Sequence, residues 1–176
     1  MSEIITTYYK SPVGELLLGD FERKLCLADW RYRNMRTSID YRIQKGLSTN
    51  YIEGTSELIE HTINQLNAYF EGKTQVFDVP LLFVGSDFQK QVWNALMEIP
   101  FGVTKSYIDL SKQLGNEKAI RAVASANGAN AISILVPCHR IIGSNGELTG
   151  YAGGLPAKKK LLQLEGSYGQ QEVQFG

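Results

Sequence analysis

Residues Ile134-Leu135-Val136-Pro137-Cys138-His139-Arg140-Ile141-Ile142 set a thiol, an imidazole and a guanidinium in succession inside an apolar, strand-like run. A buried strand gains nothing from them, since a polar group taken out of water without a partner costs about 1–3 kcal/mol. The residue types are those of nucleophilic chemistry: a thiolate is a strong nucleophile, and an adjacent base favours its formation. A Cys beside a His is by itself more often a small buried hydrophobe next to a satisfied core histidine. A second irregularity shifts the balance. Leu161-Leu162-Gln163-Leu164-Glu165-Gly166 ends a helix with an acid just before the stopping glycine, where the helix dipole opposes a carboxylate. A local rule broken without local gain often marks a functional site.

The elements around these residues must hold them. Pro137 lacks an N–H and pushes Val136 toward an extended conformation, so a strand should end at Val136 and the chain turn at Cys138. The glycine-rich run Gly143-Ser144-Asn145-Gly146-Glu147-Leu148-Thr149-Gly150-Tyr151-Ala152-Gly153-Gly154 predicts a tightly turning loop whose amides can face a ligand. It has neither a Gly-Lys-Ser/Thr ending nor Gly-x-Gly-x-x-Gly, which argues against a nucleotide cofactor. Pro156 then opens the last helix.

Upstream, Ser86 with Gln89 forms a capping box, and Phe88, Val92, Leu96 and Ile99 mark the buried side of a helix that stops before Pro100. Ser106 with Asp109 starts a short helix in which Tyr107, Leu110 and Leu114 share a side. Gly115-Asn116 makes a turn, and Asn116 should cap a helix ending at Gly128. Two short helices about a glycine turn match a helix-turn-helix and also match helical hairpins with no role on DNA. In the second helix Ile120, Val123, Ala124 and Asn127 fall on one side, leaving Lys118, Arg121, Ala122 and Ser125 outward. Small residues around a single arginine suit close approach to a groove.

The N-terminal half reads differently. Ile4 to Tyr9, Glu15 to Gly19 and Lys24 to Trp30 alternate as strands of an antiparallel meander. Tyr32 to Tyr51 is polar and unpatterned and reads as a loop with room for a short helix. Residues 56–71 carry Ile59, Ile63, Leu66 and Phe70 at helical spacing and should cover the sheet. Val76 to Val84, with Pro80 inside, reads as an extended connector. The expected domains are therefore 1–85, α/β, and 86–176, mainly helical.

Composition is that of a globular chain, 43% hydrophobic and 20% charged, so each half can bury a core. No apolar run approaches the roughly 20 residues of a membrane span, and the N-terminus lacks the features of a secretory signal. A cytoplasmic protein is expected, nucleoid-associated if prokaryotic. Two cysteines and two histidines, Cys26, Cys138, His61 and His139, give no disulfide framework and no zinc spacing, so no metal is expected. A net charge of zero hides an asymmetry: Lys105 to Lys160 holds eight bases against three acids, whereas residues 1–85 hold nine against eleven. A basic segment suits a phosphate-bearing partner and equally suits a solvated face.

Together these residues carry a resemblance. Ser106-Tyr107, Arg121-Ala122-Val123, Asn130, Pro137-Cys138-His139-Arg140 and Tyr151-Ala152-Gly153-Gly154-Leu155 through Glu165-Gly166 make the segment from about Ser86 to Gly166 resemble the O6-alkylguanine-DNA alkyltransferases, or methylated-DNA–protein-cysteine methyltransferases. The N-terminal half is similar mainly in position. The resemblance implies a ribonuclease H-like α/β domain followed by a helix-turn-helix, winged-helix-like domain carrying the active site. It implies irreversible, single-turnover transfer of an alkyl group from O6 of guanine in duplex DNA to Cys138, with the base flipped out, no cofactor and no obligate protein partner, the chain acting as a monomer.

In that scheme His139 and Glu165, linked to the thiol through a water, help it lose its proton, and Asn130 ties the active-site turn to the helix-turn-helix. Tyr107 donates to N3 of the extruded base, and Arg121 fills the space left in the stack. Carbonyls of Cys138 and Ile141 read the guanine amino group. Lys118, Ala122, Ser125, Arg140, Tyr151, Ala152 and Gly153 complete the expected DNA contacts. Position 152 is Ala where some members carry Ser, which leaves the backbone amide for any contact to O6. A thiol hydrolase and a binding module that recognises alkylated DNA without transfer are rival readings, the intact Cys138 opposing the second; a redox-regulated transcription factor is a weaker third, since no resolving Cys lies near Cys138 in sequence.

Overall fold

The chain, described for residues 2–168 in a computed structural model, packs as two compact units divided between Gly85 and Ser86. Residues 169–176, the tail of the expected second domain, lie outside the described residues.

In the first unit β1 (Ile4–Ser11), β2 (Gly14–Phe21) and β3 (Lys24–Trp30) form the antiparallel meander. The β2–β3 turn places Glu22 and Arg23 at φ of 50° and 69°, and the Asp20 carboxylate accepts from the Arg23 amide. Helix α1 (Arg36–Gly46) fills much of the stretch read as a loop with room for a short helix, and strand β4 (Tyr51–Glu53), which was not expected, begins at its last residue. Strand β4 pairs with β1 in parallel, giving the order β3-β2-β1-β4. Helix α1 buries only Ile39 and Ile43, too few for an apolar stripe. Ion pairs hold it instead. The fully buried Asp29 meets Arg33 at 3.1 Å and Arg36 at 2.9 Å, Arg36 meets Asp40 at 2.8 Å, and Asp40 accepts from the Tyr51 hydroxyl at 2.7 Å. Helix α2 (Glu57–Phe70), capped by Ser56, buries Ile59, Thr62, Leu66, Tyr69 and Phe70 and packs on all three meander strands. The 76–84 stretch runs extended, bonding β3 through Pro80 and Leu82 to Leu25.

In the second unit α3 (Asp87–Met97) starts with the Ser86–Gln89 capping box, and buried Trp93 donates to the Ala126 carbonyl at 2.9 Å. Strand β5 (Lys105–Ser106) leads into α4 (Tyr107–Gln113), begun by the Ser106–Asp109 box. Gly115, at φ 78°, turns the chain. Asn116 does not cap the next helix with its side chain: a 3₁₀ turn over Glu117–Ala119 intervenes, and α5 runs Ile120–Gly128. Nor does Gly128 adopt the left-handed stop, because α5 closes on Ala129, whose amide bonds back to Ser125 and Ala126. Strand β6 (Ile141–Ile142) pairs in parallel with β5, and α6 (Leu155–Leu164) follows Gly154 at φ 90°.

A Cβ on Gly19 would lie 2.9 Å from the Leu27 Cβ and 3.3 Å from the Ile4 Cγ2. Gly19→Ala is therefore expected to cost about 1–3 kcal/mol, read as a lower urea midpoint.

Candidate active site

The stretch expected as a strand ending at Val136 is a tight turn, and Asn130 is the reason. Its Oδ1 accepts from the Ile132 amide at 2.9 Å, while its Nδ2 donates to the Val136 carbonyl at 3.0 Å and to Cys138 Sγ at 3.2 Å. One buried amide thus satisfies backbone groups that a neighbouring strand would otherwise have to meet. The turn puts Ile134 at φ 72°, a conformation that a β-branched residue adopts only when its surroundings enforce it. Every residue from Asn130 to Ile141 is buried, which supplies that enforcement. A 3₁₀ turn over Cys138–Arg140 follows, so that successive side chains leave in different directions.

His139 and Arg140 both leave toward Glu165, the C-cap residue of α6. His139 Nε2 lies 2.8 Å from Oε2 of Glu165, Arg140 Nε donates to Oε1 at 2.8 Å, and Arg140 Nη2 donates to Oε2 at 3.0 Å. Arg140 Nη1 is taken by the Ile99 carbonyl at 2.6 Å. The acid opposed by its own helix is thus held by a fork from a neighbouring turn. Arg140, expected on the DNA side, is corrected by this arrangement: it is 7% exposed and its donors face inward.

Burial alone would raise the Glu165 pKa, but His139 and Arg140 outweigh it and hold the carboxyl at about 2. Burial lowers the His139 pKa despite Glu165, which favours the neutral imidazole. A carboxylate only accepts, so Nε2 carries the ring proton and Nδ1 the lone pair. That Nδ1 is buried without a protein partner among the described residues. A neutral imidazole of fixed tautomer with an unused lone pair, adjacent in sequence to a thiol, has the properties of a proton acceptor for Cys138.

Sequence reasoning misses Lys158. It is fully buried, and its Nζ donates to the carbonyls of Ile141 at 2.5 Å and Thr149 at 3.2 Å. Burial pushes its pKa down to about 8, opposed by the Cys138 charge. Lys158-Lys159-Lys160 reads as a solvated run, and only its place among Ala157, Leu161 and Leu162 on the buried face of α6 could have singled it out.

The remaining expected residues fall into two groups. Tyr107 opens α4, and its phenol oxygen lies 3.2 Å from Thr149 Oγ1 in the glycine-rich loop. Tyr151 stands edge-on to His139 with ring centroids 6.5 Å apart, and Ala152 and Gly153 beside it are half-buried. Lys118, Arg121, Ala122 and Ser125 lie exposed on α5 and the turn before it, outside this bonded network. Among the described residues no cluster of three His, Cys, Asp or Glu could hold a metal, and no helix is long and apolar enough to cross a membrane.

A buried thiol followed in sequence by a carboxylate-held imidazole, in a helical unit whose second short helix exposes Arg121, Ala122 and Ser125, fits a cysteine-dependent protein that works on nucleic acid. Residues 4–83 match the ribonuclease-like domain of 6-O-methylguanine DNA methyltransferase, and residues 87–167 match the DNA binding domain of that family. The chain is 44% identical over 159 residues to a methylated-DNA–protein-cysteine methyltransferase of Methanosarcina acetivorans, covering 90% of this chain and 96% of that one. A Mycobacterium tuberculosis protein of the same name is 54% identical over 105 residues, 60% of this chain and 64% of that one. The crystal structure of Mycobacterium tuberculosis OGT in complex with DNA superposes with a TM-score of 0.79 at 40% identity over 93% of each chain. An O6-methylguanine-DNA methyltransferase of Pyrococcus kodakaraensis, 22% identical, shares the fold at a TM-score of 0.70 over 93% of this chain and 99% of that one. The chain belongs to the 6-O-methylguanine DNA methyltransferase family.

The depressed Glu165 pKa has a stability consequence. A carboxyl at about 2 when folded and near 4.5 when unfolded contributes fully above pH 4.5 and loses that contribution as the pH falls toward 2. Urea midpoints across that window should fall in the wild type. Glu165→Gln should flatten the slope and, by leaving Arg140 buried without its counter-charge, cost about 3 kcal/mol at neutral pH.

Proposed function

We propose that this protein repairs DNA by moving an alkyl group, methyl in the simplest case, from O6 of guanine in a duplex to Sγ of Cys138. The reading is carried by one observation: Glu165 holds Nε2 of a buried His139 whose Nδ1 has no protein partner among the described residues, and the preceding residue is a thiol that Asn130 contacts at 3.2 Å. The Cys138 proton passes to Nδ1 through a water, and the imidazolium formed is stabilised by Glu165. Asn130 Nδ2 donates to the thiolate. The sulfur attacks the alkyl carbon; the S–C bond forms as the C–O6 bond breaks, and its electron pair enters the guanine ring. Charge developing at N3 meets the Tyr107 hydroxyl, a donor of the kind worth about 3 kcal/mol in a transition state. A thioether does not return the group, so each molecule acts once.

A base inside a duplex cannot reach a buried thiol, so it must be extruded, at a cost of a few kcal/mol that is smaller where alkylation has weakened pairing. Arg121 fills the vacated stack, with Lys118, Ala122 and Ser125 against the backbone and groove. Tyr151, Ala152 and Gly153 line the pocket, with the Ala152 amide available to O6. The Cys138 and Ile141 carbonyls meet the guanine amino group; that of Ile141, which already accepts from Lys158, has a second lone pair to offer. No cofactor enters this scheme, one chain carries every group, and the cytoplasm, or the nucleoid of a prokaryote, suits a protein acting on DNA.

Mass spectrometry after incubation with an O6-methylguanine duplex should find one methyl group per chain, on the Cys138 peptide, and none in Cys138→Ala. Product beyond one equivalent would instead identify a hydrolase. In rapid-quench assays, Arg121→Ala should slow transfer from a duplex about tenfold and transfer from a single strand much less, since only the duplex requires extrusion.

A further inference from the structure

Tyr107 and Thr149, 42 residues apart in sequence, meet through their hydroxyls at 3.2 Å. Thr149 sits in the glycine-rich loop, yet that loop is fastened where it matters. The Thr149 carbonyl accepts from Lys158 Nζ at 3.2 Å, and the same buried ammonium holds the Ile141 carbonyl, at the end of the active-site turn, at 2.5 Å. One fully buried cation therefore joins the segment carrying Cys138 to the segment carrying Thr149, and the Thr149 hydroxyl reaches the phenol. Gly146 and Gly154, at φ of 85° and 90°, lie on either side and let the loop bend around this fixed point.

A phenol has one proton to give. If it were given to Thr149, Tyr107 would have none for a ligand; if Thr149 donates, the phenol O–H is released toward the pocket and made a stronger donor by the bond its oxygen accepts. We propose that Thr149 is a positioning residue for Tyr107, its hydroxyl donating to the phenol oxygen so that the phenol O–H points at the extruded guanine. This rests on the donor role given to Tyr107 above. When the S–C bond forms and the C–O6 bond breaks, guanine leaves as an anion with charge at N3. The Tyr107 O–H stabilises that charge, the Thr149 O–H stabilises the charge drawn onto the phenol oxygen, and a solvent proton finally neutralises the base. Thr149 touches neither sulfur nor substrate.

The test is the single-turnover transfer rate of the full chain at saturating duplex. Thr149→Val, which keeps the shape and removes the hydroxyl, should slow transfer from O6-methylguanine about tenfold, the value of one hydrogen bond. Thr149→Ser should restore the rate, and neither change should alter affinity for undamaged duplex. Adding Thr149→Val to Tyr107→Phe should cause no further loss. On O6-methyl-3-deazaguanine, which lacks N3, Thr149→Val and wild type should react alike. Thr149→Val at or above the wild-type rate while Tyr107→Phe is slow would overturn the inference and leave the Tyr107 reading standing. Thr149→Ser as slow as Thr149→Val, or equal slowing on the deaza substrate, would overturn it by assigning the effect to loop shape. Tyr107→Phe at the wild-type rate would remove the donor role itself, and this inference with it.

Discussion

A carboxylate with no exposed side-chain surface, placed where its own helix repels it, is the constraint on which the second unit turns. Burying an ion costs several kcal/mol unless charge and hydrogen bonds both compensate, and Glu165 gets both from Arg140. The consequence lies on His139. With a guanidinium already balancing the carboxylate, burial can keep the imidazole neutral while Glu165 still accepts a hydrogen bond from its Nε2–H. Burial does most to lower the His139 pKa against the pull of Glu165, and the Arg140 charge adds to it. Arg140 thus acts on the site from inside the protein, its donors spent on Glu165 and the Ile99 carbonyl.

The thiol is placed by a second device of the same kind. Asn130 lies two residues beyond the end of α5, and its side chain gathers Ile132, Val136 and Cys138. One amide, close after the end of α5, therefore holds both the backbone of the turn and the buried sulfur. The left-handed Ile134 inside this turn carries strain of order 1–3 kcal/mol that a strand would have avoided. A strand, however, would have pointed Cys138 and His139 to opposite faces with no 3₁₀ turn to bring the imidazole onto Glu165.

These two devices decide which parts of the site are legible in the sequence. Cys138, His139 and Glu165 stand out because each breaks a local rule, and the capping boxes at Ser86 and Ser106 because both partners lie within four residues. Arg140 is misassigned because a cation in a basic segment looks the same whether it faces phosphate or a carboxylate 25 residues away. Lys158 is hidden by its lysine neighbours. The turn at 130–137 reads as a strand because β-branched apolar residues suit either when buried, and the deciding partner is a side chain rather than a pattern. The extent of helix α1 and the strand β4 escape for a related reason: Asp29 and Tyr51, which anchor Arg36 and Asp40, lie outside the helix, and charge pairs leave no apolar period to detect.

Two of the eight cations counted between Lys105 and Lys160 are inside the protein, Arg140 and Lys158, so the basic surface is weaker than the sequence suggests. The exposed cations include Lys112, Lys118, Arg121, Lys159 and Lys160. Phosphate contacts of this kind are indifferent to sequence and weaken with salt, which suits scanning rather than tight capture. Discrimination then has to arise after contact, from the lower cost of extruding a poorly paired base and from the requirement for an alkyl carbon within reach of the sulfur. For a protein spent by one transfer, this division is well matched to the task, since strong binding to undamaged duplex would hold an unreacted molecule where there is nothing to repair.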